Sequence, residues 1–217
     1  MLNHVKLVLL TVAALILAGC NQQQVKYDYA AFENSRPKSI LVIPPVNNSI
    51  EVNASYIFLS TISRPLAEKG YYVFPVAVIE QFMRNNGLQD PAEMNSIPLD
   101  KINEHIGPDA ILYVSIENWG QKYEVFDSRT IVDSNWRLID AKTGQQIWDG
   151  TAKGQYSSND NNQNGLIGML VGAVINQIAG SVSDNTPMLS QQVNQGTVFN
   201  SHNGLLNGPY LKPDTDS

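Results

Sequence analysis

The chain has one cysteine, Cys20, and it closes the run Leu17-Ala18-Gly19-Cys20. That run reads as a bacterial lipobox. Small residues fit the narrow groove of a signal peptidase, and the freed cysteine offers a thiol and a new amine for acylation. The chemistry expected at Cys20 is therefore a diacylglycerol on sulfur and a third acyl chain on nitrogen. One acyl chain holds a protein to a bilayer only marginally, at about 0.8 kcal/mol per buried CH₂, whereas two anchor it stably. Three make the anchor in effect permanent. With its sulfur capped, Cys20 leaves no thiol for a disulfide, so the fold rests on packing even in an oxidising compartment.

The flanks support this reading. Met1 to Lys6 is positively charged, and Leu7 to Ala18 is an apolar run of the length of a signal-peptide core. It is too short for the roughly 20 apolar residues of a membrane span. Residues 1–19 read as a signal peptide and residues 20–38 as a lipidated tether. Asn21, rather than Asp, follows the cysteine. Under the usual bacterial sorting rule this implies delivery to the outer membrane, with the periplasmic face favoured over the cell surface.

Other reactive residue types offer no comparable pattern. His4 leaves with the signal, His105 falls in a short polar helix, and His202 falls in an Asn-rich tail. Neither of the last two has a cysteine or carboxylate at ligand spacing, so both read as surface residues. There is no Gly-x-Ser-x-Gly elbow and no phosphate-binding glycine loop. Asn159-Asp160-Asn161-Asn162 carries one carboxylate, too few for a tight hard-cation site. No catalytic residue, cofactor site or metal site is expected, and the chain does not read as an enzyme. The formal net charge of −6, which becomes more negative once Lys6 is removed, argues against a nucleic-acid partner.

In the mature chain, Ile40-Leu41-Val42-Ile43 is a continuous apolar run closed by Pro44-Pro45, the pattern of a buried strand. Ala54 to Lys69 has helical apolar spacing and ends at Gly70; Pro65 inside it predicts a kink or a second start. Tyr71 to Phe74 reads as a strand, Val76 to Asn86 and Leu99 to Ile106 as helices, and Ala110 to Trp119 as an alternating strand. Thr130 to Asp140 and Gln145 to Gln155 read as a hairpin joined by Ala141-Lys142-Thr143-Gly144, with Gly144 in a left-handed position and Leu138 facing Trp148. The order implies an α/β or α+β domain. Its first three strands lie parallel and its last three form an antiparallel meander.

Beyond a polar loop from Ser157 to Asn164 lies an apolar, glycine-rich run, Gly165 to Gly180. Gly168 and Gly172 are four apart, so on a helix they share a face and permit close approach of a second helix. This helix reads first as a cover for the protein's own sheet. It reads second as a partner or homo-oligomer interface, and third as a membrane-inserting segment, for which it is short. The α/β domain is expected over residues 39–180, with a C-terminal extension over 181–217. Asn21 to Arg36 is a tether of 16 residues, at most about 55 Å extended and about 22 Å r.m.s. if flexible.

Several stretches also carry a resemblance. They are Ser35 to Pro45, Pro65 to Val76, Asn86-Gly87-Leu88, Pro91-Ala92-Glu93, Gly107 to Tyr113 and Leu138 to Trp148. Together, from the lipobox to Gly208-Pro209-Tyr210, they resemble a family of bacterial lipoproteins filed as a domain of unknown function, one that includes a meningococcal vaccine-candidate lipoprotein. The resemblance implies a fold similar to the N-terminal domain of TolB, as in CsgG-type secretion lipoproteins and in lipoproteins that activate peptidoglycan synthases. It further implies a non-enzymatic scaffold or accessory subunit of an envelope assembly or transport complex, with a CsgG-like lipoprotein as partner. The alternative is a regulator that binds a peptidoglycan synthase.

Overall fold

The computed structural model describes residues 26–123, 128–157 and 184–211. A six-stranded mixed sheet runs β3-β1-β4-β5-β6, with β2 paired to β4 off that path. Strand β1 (Ser39–Val42) lies parallel to β3 (Tyr72–Val73) and to β4 (Ala110–Tyr123). The two-residue β2 (Val46–Asn47) is also parallel to β4. Strands β4, β5 (Ser128–Asp140) and β6 (Gln146–Ser157) form an antiparallel meander. The division into a parallel half and a meander is the one expected from the order of elements.

The hairpin follows its turn chemistry. Gly144 has φ +74°, the conformation an L side chain resists. Asp140 staples the turn: its Oδ1 accepts from the Lys142 and Thr143 amides at 3.0 and 2.8 Å and from Thr143 Oγ1 at 2.9 Å. Leu138 stands opposite Trp148 in the register, and each is 1% exposed.

Helices cover both faces. On one face, α1 (Ala30–Ser35), α2 (Ala54–Glu68) and α6 (Thr186–Val198) enclose the larger core, which includes Phe58, Ile62, Trp136, Trp148, Leu189 and Val193. Phe58 and Trp148 meet Trp136 edge-on, at centroid distances of 5.6 and 6.2 Å. On the other face, α3 (Val76–Asn85), α4 (Pro91–Asn95) and α5 (Leu99–His105) cover the parallel half through Ile79, Met83, Met94 and Ile102.

Four expectations need correction. Helix α2 runs through Pro65 to Glu68 as one element. Pro65 lies in the last turn, where its missing N–H removes one ladder bond and leaves no long helix to derail. Strand β3 is two residues rather than four. The segment read as tether is docked from Tyr27 onward, with Phe32 buried at 4% exposure in α1. The region beyond residue 180 is no appendage, because α6 buries Leu189, Val193 and Val198 in the main core.

Helix α6 reaches the sheet through glycine. Gly150 and Gly154 sit four apart on the core-facing side of β6. A Cβ on Gly150 would meet Trp148 at 2.7 Å and Thr197 at 3.1 Å, and one on Gly154 would collide with Val193. Glycine inside a strand marks a place where another chain segment comes close.

Candidate functional site

One end of the molecule collects the start of the described chain and its C-terminal loop. Tyr27 Oη donates to Asp149 Oδ1 at 2.8 Å and accepts from the Asp149 amide at 2.9 Å. Burial first, and then the Asp149 carboxylate, push the Tyr27 phenol up to about 12. Tyr29 Oη donates to the Gly204 carbonyl and Tyr71 Oη to the Leu206 carbonyl. Trp148 Nε1 donates to the Asn203 carbonyl at 2.9 Å. The Gly208 amide donates to Lys69 O at 2.8 Å and the Tyr210 amide to Gly70 O at 3.0 Å.

These contacts frame a cavity of about 550 Å³ lined by residues that include Lys26, Tyr29, Lys69, Phe199, His202 and Leu206. No lining residue is acidic. The Lys69 ammonium sits 4.7 Å from the Phe199 ring centroid, a cation–π arrangement. Burial holds Lys69 below the usual lysine range. A site of this composition suits an anion with an apolar neighbour.

A second cavity, of about 580 Å³, lies where the helices stop covering the meander. Its lining includes Ile97, Leu99, Tyr113, Ser115, Asn135 and Arg137. Beyond it the sheet face is polar. Ser115 Oγ donates to Glu117 Oε1 at 2.6 Å, Asn48 Nδ2 to Ser115 Oγ at 3.0 Å, and Lys153 pairs with Asp133 at 2.9 Å. The Ser115 hydroxyl is the main reason that Glu117 titrates below its ordinary range. This face offers hydrogen-bonding groups and a shallow aromatic recess, the composition of a protein contact surface.

The expected site residues Cys20, Gly168 and Gly172 lie outside the described residues. His105 and His202 are both exposed and sit on different elements, α5 and the C-terminal loop. Asp109 and Asp140 serve as structural staples. Asp109 Oδ2 accepts from the Lys38 and Ser39 amides at 3.0 and 3.1 Å and fastens the start of β1 to β4. Asp140 also accepts from the Ser35 hydroxyl of α1. Among the described residues, no group of three or more His, Cys, Asp or Glu gathers at metal-binding distance, and no helix is long and apolar enough to cross a membrane. Sequence reading missed the cavity around Lys69. Its parts come from three distant segments, and the only local signal was the aromatic interruption of a polar stretch at Tyr27, Tyr29 and Phe32.

A family model described as "Putative lipoprotein GNA1162-like" matches residues 27–210. The Neisseria meningitidis serogroup B protein named "Putative lipoprotein NMB1124/NMB1162" is 40% identical over 209 residues, spanning 94% of this chain and 95% of its own. The crystal structure of lipoprotein GNA1162 from Neisseria meningitidis superimposes with a TM-score of 0.54 at 38% identity, covering 59% of this chain and 89% of that one. The C-terminal domain of LpoB from Escherichia coli is a looser match, 19% identical over 53% of this chain and 80% of that one, with a TM-score of 0.37.

Proposed function

The chain belongs to the GNA1162-like lipoprotein family, and from that premise we propose that it is a non-enzymatic scaffold or accessory subunit of an envelope assembly or transport complex. In this reading it is anchored through acyl chains on Cys20 at the periplasmic face of the outer membrane. Residues 1–19 are the removed signal, and a CsgG-like lipoprotein, a second copy of the chain, or both are its partners. The TolB-like arrangement implied by the resemblance belongs to the same proposal.

One observation carries this reading. The chain is docked from Tyr27 onward, through Asp149, Gly204 and the buried Phe32. From Cys20 to Lys26 the chain can span at most about 22 Å. A domain held that close acts at its own membrane. A reach to a peptidoglycan synthase embedded in the opposite membrane would need a longer arm, supplied if at all by the C-terminal region.

Two experiments test the proposal. Cys20→Ala should abolish labelling by a fatty-acid analogue and leave an unprocessed precursor; unchanged labelling refutes the anchor. Photocrosslinking from Asn135 or Thr151, exposed on the uncovered sheet face, followed by purification from the native envelope, should capture a lipoprotein or a second copy. Capture of a peptidoglycan synthase in their place would select the regulator reading.

A further inference from the structure

We infer that the cavity around Lys26 and Lys69 is a membrane-contact site that seats the anionic phosphate headgroups of the bilayer to which the protein is tethered. The inference rests on the proposed acylation of Cys20.

Three observations converge. The first is tether length: Lys26 lines the cavity and is separated from Cys20 by at most about 22 Å of chain. Lys26, at the cavity edge, therefore stays within about 22 Å of the bilayer surface however the domain swings. The second is charge. Lys26, Lys69 and His202 line the cavity, no acidic residue does, and neither lysine has an ion-pair partner among the described residues. The third is chemistry. Lys69 is half-buried against Phe199, and Phe199 remains 41% exposed, with Tyr210 and Leu211 nearby on the same loop at 61% and 43%. Ammonium groups beside exposed aromatic and aliphatic side chains match the boundary between headgroup and acyl chain.

The opposite end of the molecule supplies the contrast. Strand β4 rises about 33 Å from Ala110 to Gly120. At the Ala110 end lie β1, β3 and the cavity; at the Gly120 end Glu51 packs on Gly120 and Asn48 donates to Ile116 O at 2.9 Å. Val52, 79% exposed in that distal loop, is therefore carried away from the bilayer if the cavity faces it.

The test uses the full lipoprotein inserted through its own acyl chains into vesicles of phosphatidylethanolamine and phosphatidylglycerol. With the Cys20 sulfur acylated, Ser201→Cys or Val52→Cys provides one thiol for a fluorophore, and a lipid carrying a nitroxide on its headgroup quenches what lies at the surface. Quenching is expected at position 201 and not at 52. Each lysine near an anionic surface favours the docked orientation about fivefold, so Lys26→Glu/Lys69→Glu should erase the difference between the two positions. Lys26→Glu alone, at an exposed site outside the core, should reduce it. Equal quenching at both positions, or quenching at 201 that survives both charge reversals, overturns the inference while the protein stays on the vesicles. Failure of the protein to stay on the vesicles overturns the anchor itself, and this inference with it.

Discussion

On one face of the sheet Leu41, Ile43 and Ile111 meet Ile79, Met83, Met94 and Ile102, a contact built from aliphatic and thioether side chains. On the other, α6 meets α2 through a polar seam. Thr61 Oγ1 and Ser190 Oγ lie 2.8 Å apart, and Asn194 Nδ2 donates to Thr61 Oγ1 at 2.9 Å. Ser190 and Asn194 are fully buried. The buried positions of α6 are Thr186, Leu189, Ser190, Val193, Asn194, Thr197 and Val198. That spacing is as regular as that of any amphipathic helix, yet four of the seven residues are polar. A helix can thus complete a core with a stripe that hydrophobicity alone does not reveal: Ser190 Oγ and Asn194 Nδ2 pair with Thr61, while Asn194 Oδ1 is buried with no hydrogen-bond partner among the described residues.

The contrast can be broken at its strongest point first. Trp148→Ala, beneath α6, should cost about 3–5 kcal/mol and Met83→Ala, in the apolar layer, about 2–5 kcal/mol, both read from urea unfolding. A Trp148→Ala protein as stable as wild type would refute the register that sets Trp148 opposite Leu138. Next, Gly154→Ala should cost about 1–3 kcal/mol, because the new methyl group collides with Val193. Amide exchange should rise in α6 while α3 keeps its protection; equal loosening of both layers would show that they do not differ. Third, Thr61→Val should cost about 1–3 kcal/mol by stranding Ser190 and Asn194, whereas Thr61→Val/Ser190→Ala/Asn194→Leu should recover most of that loss. An additive triple variant would deny that the seam is one network.

Two smaller effects probe the turn between β5 and β6. Gly144→Val should cost about 1–2 kcal/mol from its left-handed backbone, measured as a lowered unfolding midpoint. Asp140 titrates below its ordinary range. Burial pushes it up, but the Ser35 hydroxyl, the Thr143 amide and hydroxyl and the Lys142 amide outweigh burial. Its contribution is present above the ordinary carboxylate range and is lost as pH falls through the depressed value. Ser35→Ala should therefore lower stability slightly at neutral pH and hardly at all once Asp140 is protonated. A constant difference across acid titration would show that the contact carries no charge dependence.

How much was legible follows the same contrast. The runs Ile40–Ile43 and Ala110–Trp119 and the turn ending at Gly144 announce themselves through apolar continuity, alternation and turn chemistry, and the mixed sheet is built from them. Helix α6 was missed because Ser190, Asn194 and Thr197 carry a helical stripe in residues that read as loop. Gly168 and Gly172 lie outside the described residues; within them, close helix approach occurs at Gly150 and Gly154, on a strand. The Lys26–Lys69 cavity was illegible because it joins segments remote in sequence, and no local pattern marks a meeting of that kind.

The ends of the domain close on each other. Tyr29 reaches Gly204 across 175 positions of chain, Tyr71 reaches Leu206 across 135, and Tyr27 reaches Asp149 across 122. Contacts of such sequence separation form late and slowly. A chain that crosses a membrane N-terminus first cannot shut this core behind its leading edge; Tyr29 and Phe32 must wait for residues near 204 to emerge. Nothing short of nearly the whole chain is a finished domain. If residues 1–19 direct export as proposed, the core closes only after most of the chain has crossed.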